Sequence, residues 1–204
     1  MDEALRAGIA IHNDGFYHAA HDAWEDRWLA LETGTDDESF LHGLIQFTAA
    51  VHHARNRNWA GCVGLAESAL EYLASLPGEY RAVDLERVRG YLEALAVDPE
   101  VIERRPPARI VHDGDVATLG DLEIDEAAIA APVLADDLGY DPDVLERGAE
   151  YALGDLEGGR DDSRFITLLF DFLREDAHRG IVYQRLSGHV DRRKAREEDV
   201  EGLF

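Results

Sequence analysis

The chain has 204 residues, with 43 Asp and Glu against 20 Lys and Arg, and a formal net charge of −23. An apolar share of 46% excludes a disordered chain despite that charge, and the acid surplus, which repels phosphate, argues against a nucleic-acid surface. With Lys194 as the sole lysine, the balance reads as adaptation to a salty cytoplasm that screens self-repulsion.

Residues 2–12 form a first predicted helix, stopped by Asn13-Asp14-Gly15, and residues 16–32 a second, with Asp14 or Asn13 available to cap it. After the loop at 33–37, residues 38–55 make a strongly apolar third helix. The fourth, 57–76, is rich in small residues (Ala60, Gly61, Gly64, Ala66, Ser68, Ala69) that allow close helix approach within or between chains, and Pro77-Gly78 ends it. Residues 84–97 form the fifth. Arg104-Arg105-Pro106-Pro107 marks a linker or change of direction, and the Asp113-Gly114 turn between β-prone runs predicts a small β-hairpin near 109–124. Helical patterns resume at 126–137, 142–157, 163–175 and 177–196, with Asp161-Asp162-Ser163 as an N-cap and a solvated charged helix end at 191–199. The expected fold is therefore all-α. Residues 1–104 form a helical bundle, and 105–204 a C-terminal extension, hairpin plus helices, packed on it. A lone cysteine, Cys62, excludes an intramolecular disulfide and fits a reducing compartment. No stretch approaches the ~18 apolar residues of a membrane span, and no signal peptide pattern is visible. The expectation is a cytoplasmic protein without membrane contact.

On a helical wheel, His21 and Glu25 share a stripe of the second helix with Tyr17, Trp24 and Trp28, which predicts a buried polar pair. A buried carboxylate needs a partner, and His and Glu one turn apart can reach a common point, as in helical metal sites, or hydrogen-bond each other. The third helix carries a polar line, His42, Gln46 and His53, with Gly43 and Ala49 leaving room beside it. His12, His18 and His52 read as partly exposed or core-edge residues, and Cys62 as a small buried hydrophobe. Trp24, Trp28 and Tyr17 fit a core first and a ligand platform second.

His21…Glu25…Trp28 spells HxxxExxW, preceded by Asn13-x-Gly15 and Ala20 and followed by Gly43-Leu44-Ile45-Gln46, His53 and Asn58…Gly61. Together these residues resemble the family known as domain of unknown function 309 over a third of the chain, and the remainder resembles its longer haloarchaeal members. The resemblance implies an all-helical fold and no defined activity. It also implies metal binding by the motif, with His21 and Glu25 as ligands and Gln46, His53 and Asn13 as further matching polar positions. Asp22 stands where the family often has Glu, His12 where it often has an aromatic, and Gly61-Cys62 where it has Gly-Ala.

Two functions follow. The first, favoured as the physical default, is a non-catalytic structural or binding module, with a homodimer as one candidate assembly, whose buried His/Glu network pins the helices, with Asn13, Trp24, Trp28 and Gln46 as ligand-binding candidates. The second is an enzyme, with hydrolysis the first reaction class. It would hold a divalent metal cofactor on His21, Glu25 and His53, with Glu25 as the catalytic candidate, either ligand or general base.

Overall fold

The first apolar run becomes helix α1 (Asp2–Asn13) in the computed structural model, which describes residues 1–201. Helices α2 (Tyr17–Leu29), α3 (Asp36–Arg55), α4 (Trp59–Leu73) and α5 (Leu85–Val97) follow, all within a first compact unit that runs from Met1 to Thr118. Trp24, Phe40, Phe47, Leu44, Leu73 and Leu92 lie fully buried at its centre. Two glycines set the helix spacing. Trp24 lies so close over Gly8 that a methyl there would run into the indole, and at Gly43 a methyl would sit 2.5 Å from Leu73. The space expected beside Gly43 is thus filled by Leu73 of α4. Ala66 and Ala69 of α4 are likewise buried inside the unit, so the small residues already serve close approach within this chain.

Side-chain caps fix the helix starts. Thr35 accepts from Glu38 N–H before α3, Asn58 from Gly61 N–H before α4, and Asp84 from Arg87 N–H before α5. Helix α2 starts differently from the expectation: its N-cap is Phe16, with no side-chain cap, and Asn13 lies inside α1. The reason is that the Asn13 amide is engaged elsewhere. It donates to Ile110 O (3.0 Å) and Ala117 O (2.9 Å) and accepts from Ile110 N–H (2.8 Å). Its neighbour His12, expected at an edge, is 1% exposed; its Nε2–H donates to Ala108 O at 3.1 Å and its Nδ1 lies 3.2 Å from the Thr48 hydroxyl. Residues 105–118, assigned from sequence to the C-terminal part, thereby lie on the end of α1 in the first unit.

The small antiparallel hairpin pairs β1 (Glu79–Tyr80) with β2 (Val83–Asp84), Tyr80 opposite Val83. Near 109–124 the Asp113-Gly114 turn forms, with both residues at positive φ (55° and 78°), and its arms bridge at His112 and Asp115. His112 also bridges to Val83 of β2.

The second unit begins at Leu119 and comprises α6 (Ile124–Asp137), α7 (Pro142–Glu157), α8 (Arg164–Arg174) and α9 (Arg179–Glu201). Helix α8 buries Phe165, Leu168, Leu169, Phe172 and Leu173, a single stripe at helical spacing. Ser163 caps its start, accepting from Phe165 N–H, as the sequence implied. Buried Arg179 closes its end: Nε donates to Phe172 O at 2.8 Å and Nη2 to Leu173 O at 3.4 Å, meeting carbonyls that a helix end leaves without partners. No described helix is long and apolar enough to cross a membrane.

Candidate metal-binding face on helix α2

Helix α2 buries Tyr17, Ala19, Ala20, Ala23 and Trp24. The centre of burial therefore lies on the alanine side of Trp24, with Tyr17 and Trp24 at its edge, and Glu25, roughly 100° further round the helix, faces solvent. This corrects the expectation of a buried His–Glu pair: His21 is half-buried, Glu25 is exposed, and His21 hydrogen-bonds Asp22 rather than Glu25.

Asp22 organises the face. Its Oδ1 accepts from His21 Nδ1–H at 2.8 Å, and its Oδ2 lies 3.3 Å from His18 Nδ1. With the His21 proton held on Nδ1, its Nε2 lone pair is left available, the arrangement by which a carboxylate orients a metal-binding or basic imidazole. One turn on, Glu25 completes a cluster: one ligand atom each from His21, Asp22 and Glu25 lie within 4.8 Å of one another.

Across from α2, the end of α3 supplies Ala49, His52 and His53, which with Tyr17, His18 and His21 line a cavity of about 180 Å³. The rings of His18 and His52 approach to 5.7 Å. His53 reaches this cavity but stands outside the three-residue cluster. Its tautomer follows from the α4 cap. Asn58 Oδ1 must accept from Gly61 N–H, so Asn58 Nδ2 donates to His53 Nδ1 at 2.6 Å, and the His53 proton sits on Nε2. His53 is thus a hydrogen-bond donor at the cavity, where the sequence had offered it as a ligand.

The remaining candidates lie elsewhere. Gln46 pairs with His42, Nε2 to Nε2 at 3.4 Å. His42 is stacked between Trp28 (4.4 Å) and Tyr72 (3.8 Å), and Trp28 Nε1–H donates to Glu38 at 3.0 Å, holding that carboxyl below its ordinary range against the opposing effect of burial. The polar line read along α3 therefore splits, because His42 and His53 are separated by roughly 16 Å of helix rise. Asn13 is saturated by backbone partners, and Trp24 is fully buried with Nε1–H on Leu5 O at 3.3 Å, so both are structural. Sequence reasoning set His18 and His52 aside as edge residues. The usable signal was that Asp22 follows His21 directly and lies one turn after His18.

Residues 5–65 match the family described as Domain of unknown function (DUF309), a span that takes in α1 to the first half of α4 and every residue of this face. An uncharacterized protein of Aquifex aeolicus (strain VF5) is 26% identical over 99 residues, 48% of this chain and 29% of its own length. The chain thus spans less than a third of that curated relative. The family match supports kinship in the first helices, and neither comparison bears on the resemblance to haloarchaeal members.

Proposed function

We propose that the chain is a helical binding protein for a divalent transition-metal ion, held on α2 by His21, Asp22 and Glu25. The observation that carries this reading is their clustering on a surface where the fold does not require it: Glu25 is exposed, and His21 and Asp22 are only half-buried. The donor set fits. One imidazole and two carboxylates suit zinc, iron, cobalt or manganese better than a soft copper(I) ion or calcium. Three protein donors leave coordination positions for water or a small ligand, and a bound ion would there supply Lewis acidity. Within this reading His21 and Glu25 serve as ligands, Asp22 as ligand or as the group that orients His21, and His53 as a hydrogen-bond donor to whatever enters the cavity.

The direct test is metal content of protein purified in high salt without chelator, beside His21→Ala and Glu25→Ala. We expect about one ion per chain in the wild type, lost in both variants. Because these side chains are at the surface, unfolding should move by less than ~0.5 kcal/mol. A wild type without metal whose melting temperature ignores added zinc, manganese and cobalt would remove the reading.

A second reading is favoured by the 2.8 Å Asp22–His21 hydrogen bond: acid–base catalysis, first as hydrolysis, by an imidazole whose Nε2 serves as base without a metal. It differs in its response to mutation. Asp22→Ala would abolish turnover, whereas Glu25→Ala and chelators would leave it. To the acidic composition we attach adaptation to concentrated salt.

A further inference from the structure

We propose a second, separate site in the second unit: a cleft against α9 that binds a phosphate dianion, free or on an ester that carries an aromatic group. The cleft encloses about 680 Å³, within the range of small-molecule sites. Arg160, Arg192, Arg193 and Arg196 line it against only two carboxylates, Asp155 and Glu197. In a chain of net charge −23 that is a concentrated reversal of sign.

The two carboxylates are already neutralised. Asp155 lies at the floor, where its Oδ1 accepts from Arg160 (2.5 Å) and Arg193 (2.7 Å) and its Oδ2 from the Ser163 hydroxyl (2.6 Å). Burial works to raise its pKa, but these hydrogen bonds hold it down to about 2. Glu197 accepts from the Tyr151 hydroxyl at 2.7 Å and from Arg193 at 3.3 Å. Arg193 is fixed over the Tyr151 ring at 4.2 Å, which makes the floor rigid.

The rim is different. Arg192 and Arg196 form no ion pair among the described residues, and both are exposed. Two guanidinium groups one turn apart on α9 offer planar, permanently charged forks matched to phosphate oxygens. Phe165 and His189 supply an edge-to-face aromatic wall beside them, their rings 6.1 Å apart at 74°. Burial, then Arg192 and Arg164, push the His189 pKa down, so the wall is uncharged near neutral pH. A phosphate thus meets two unpaired arginines, and an aromatic group attached to it meets the Phe165 and His189 rings.

Titration calorimetry of the full chain with AMP and with inorganic phosphate, at low ionic strength, tests this. Saturable binding of either probe at one site per chain is expected, weakened at least about tenfold by Arg192→Glu or Arg196→Glu. Arg185→Glu, an exposed arginine on α9 outside the cleft, should leave it unchanged. AMP tighter than phosphate would assign an ester that carries an aromatic group, and equal affinities a free phosphate. The proposal fails if neither probe saturates, or if Arg185→Glu weakens binding as much as the rim variants. It also fails if oligothymidylate binds better than AMP with affinity growing with length, which would make the cleft a nucleic-acid surface. Loss of the α2 metal site by His21→Ala should have no effect on any of these affinities.

Discussion

At the scale of single residues, His12 and Asn13 do more for the fold than their sequence context suggested. Asn13→Ala would leave Ile110 N–H and the carbonyls of Ile110 and Ala117 buried without partners. At ~1–3 kcal/mol for each such group, a loss of roughly 3–5 kcal/mol is expected in urea denaturation. His12 makes stability depend on pH. Burial lowers its pKa from 6.5 to about 4, against the raising effect of its bond to Ala108. The unfolded chain therefore takes up a proton as pH falls through 6.5, while the folded chain resists until about 4. The stability from neutral His12 is full above the unfolded value and is lost across that window, roughly 3 kcal/mol in all. His12→Phe should flatten the dependence between those pH values; an unchanged slope would show that His12 is not its source. The His21…Glu25 spacing was legible in sequence, but its exposure was not. Aromatic residues drew attention to one side of α2, whereas the inside of the helix is centred on Ala19, Ala20 and Ala23, with Trp24 admitted by Gly8. The partner of Asn13 is 97 residues away, and no local pattern encodes that distance.

At the scale of elements, the helical periodicity was a sound guide, since each of α1 to α9 falls on a stretch predicted helical. The apolar stripe of α8 and the Ser163 cap show why: both are local consequences of spacing and side-chain chemistry. The short strands were less legible because Glu79–Asp84 is too brief for an alternating pattern to emerge. Helix approach gives a sharp pair of predictions. Gly43→Ala forces a methyl to 2.5 Å from Leu73 and should destabilise by about 1–3 kcal/mol. Gly64→Ala, on exposed α4 surface with nothing within 4 Å, should instead stabilise by up to about 1 kcal/mol through helix propensity. Equal effects from the two would mean that α3 and α4 are not in this close contact.

At the scale of the whole molecule, charge dominates. With 43 acids against 20 bases, most carboxylates must lie on the surface and repel one another in dilute buffer. The melting temperature should therefore climb by several degrees from about 0.1 M to about 2 M KCl, as the screening length shortens to a few ångströms. A flat response would leave the acid surplus without a stabilising link to salt. The clamp of His12 and Asn13 on residues 108–117 has a consequence for synthesis of the chain. Helices α1 to α5 are all complete by Val97, yet the polar C-terminal end of α1 remains unmatched until Ala117 has left the ribosome. At roughly 5–20 residues per second, that interval lasts about one to four seconds. A nascent chain of which only about the first 105 residues have emerged would thus hold five formed helices around an open seam, the state in which a chaperone or protease would meet it.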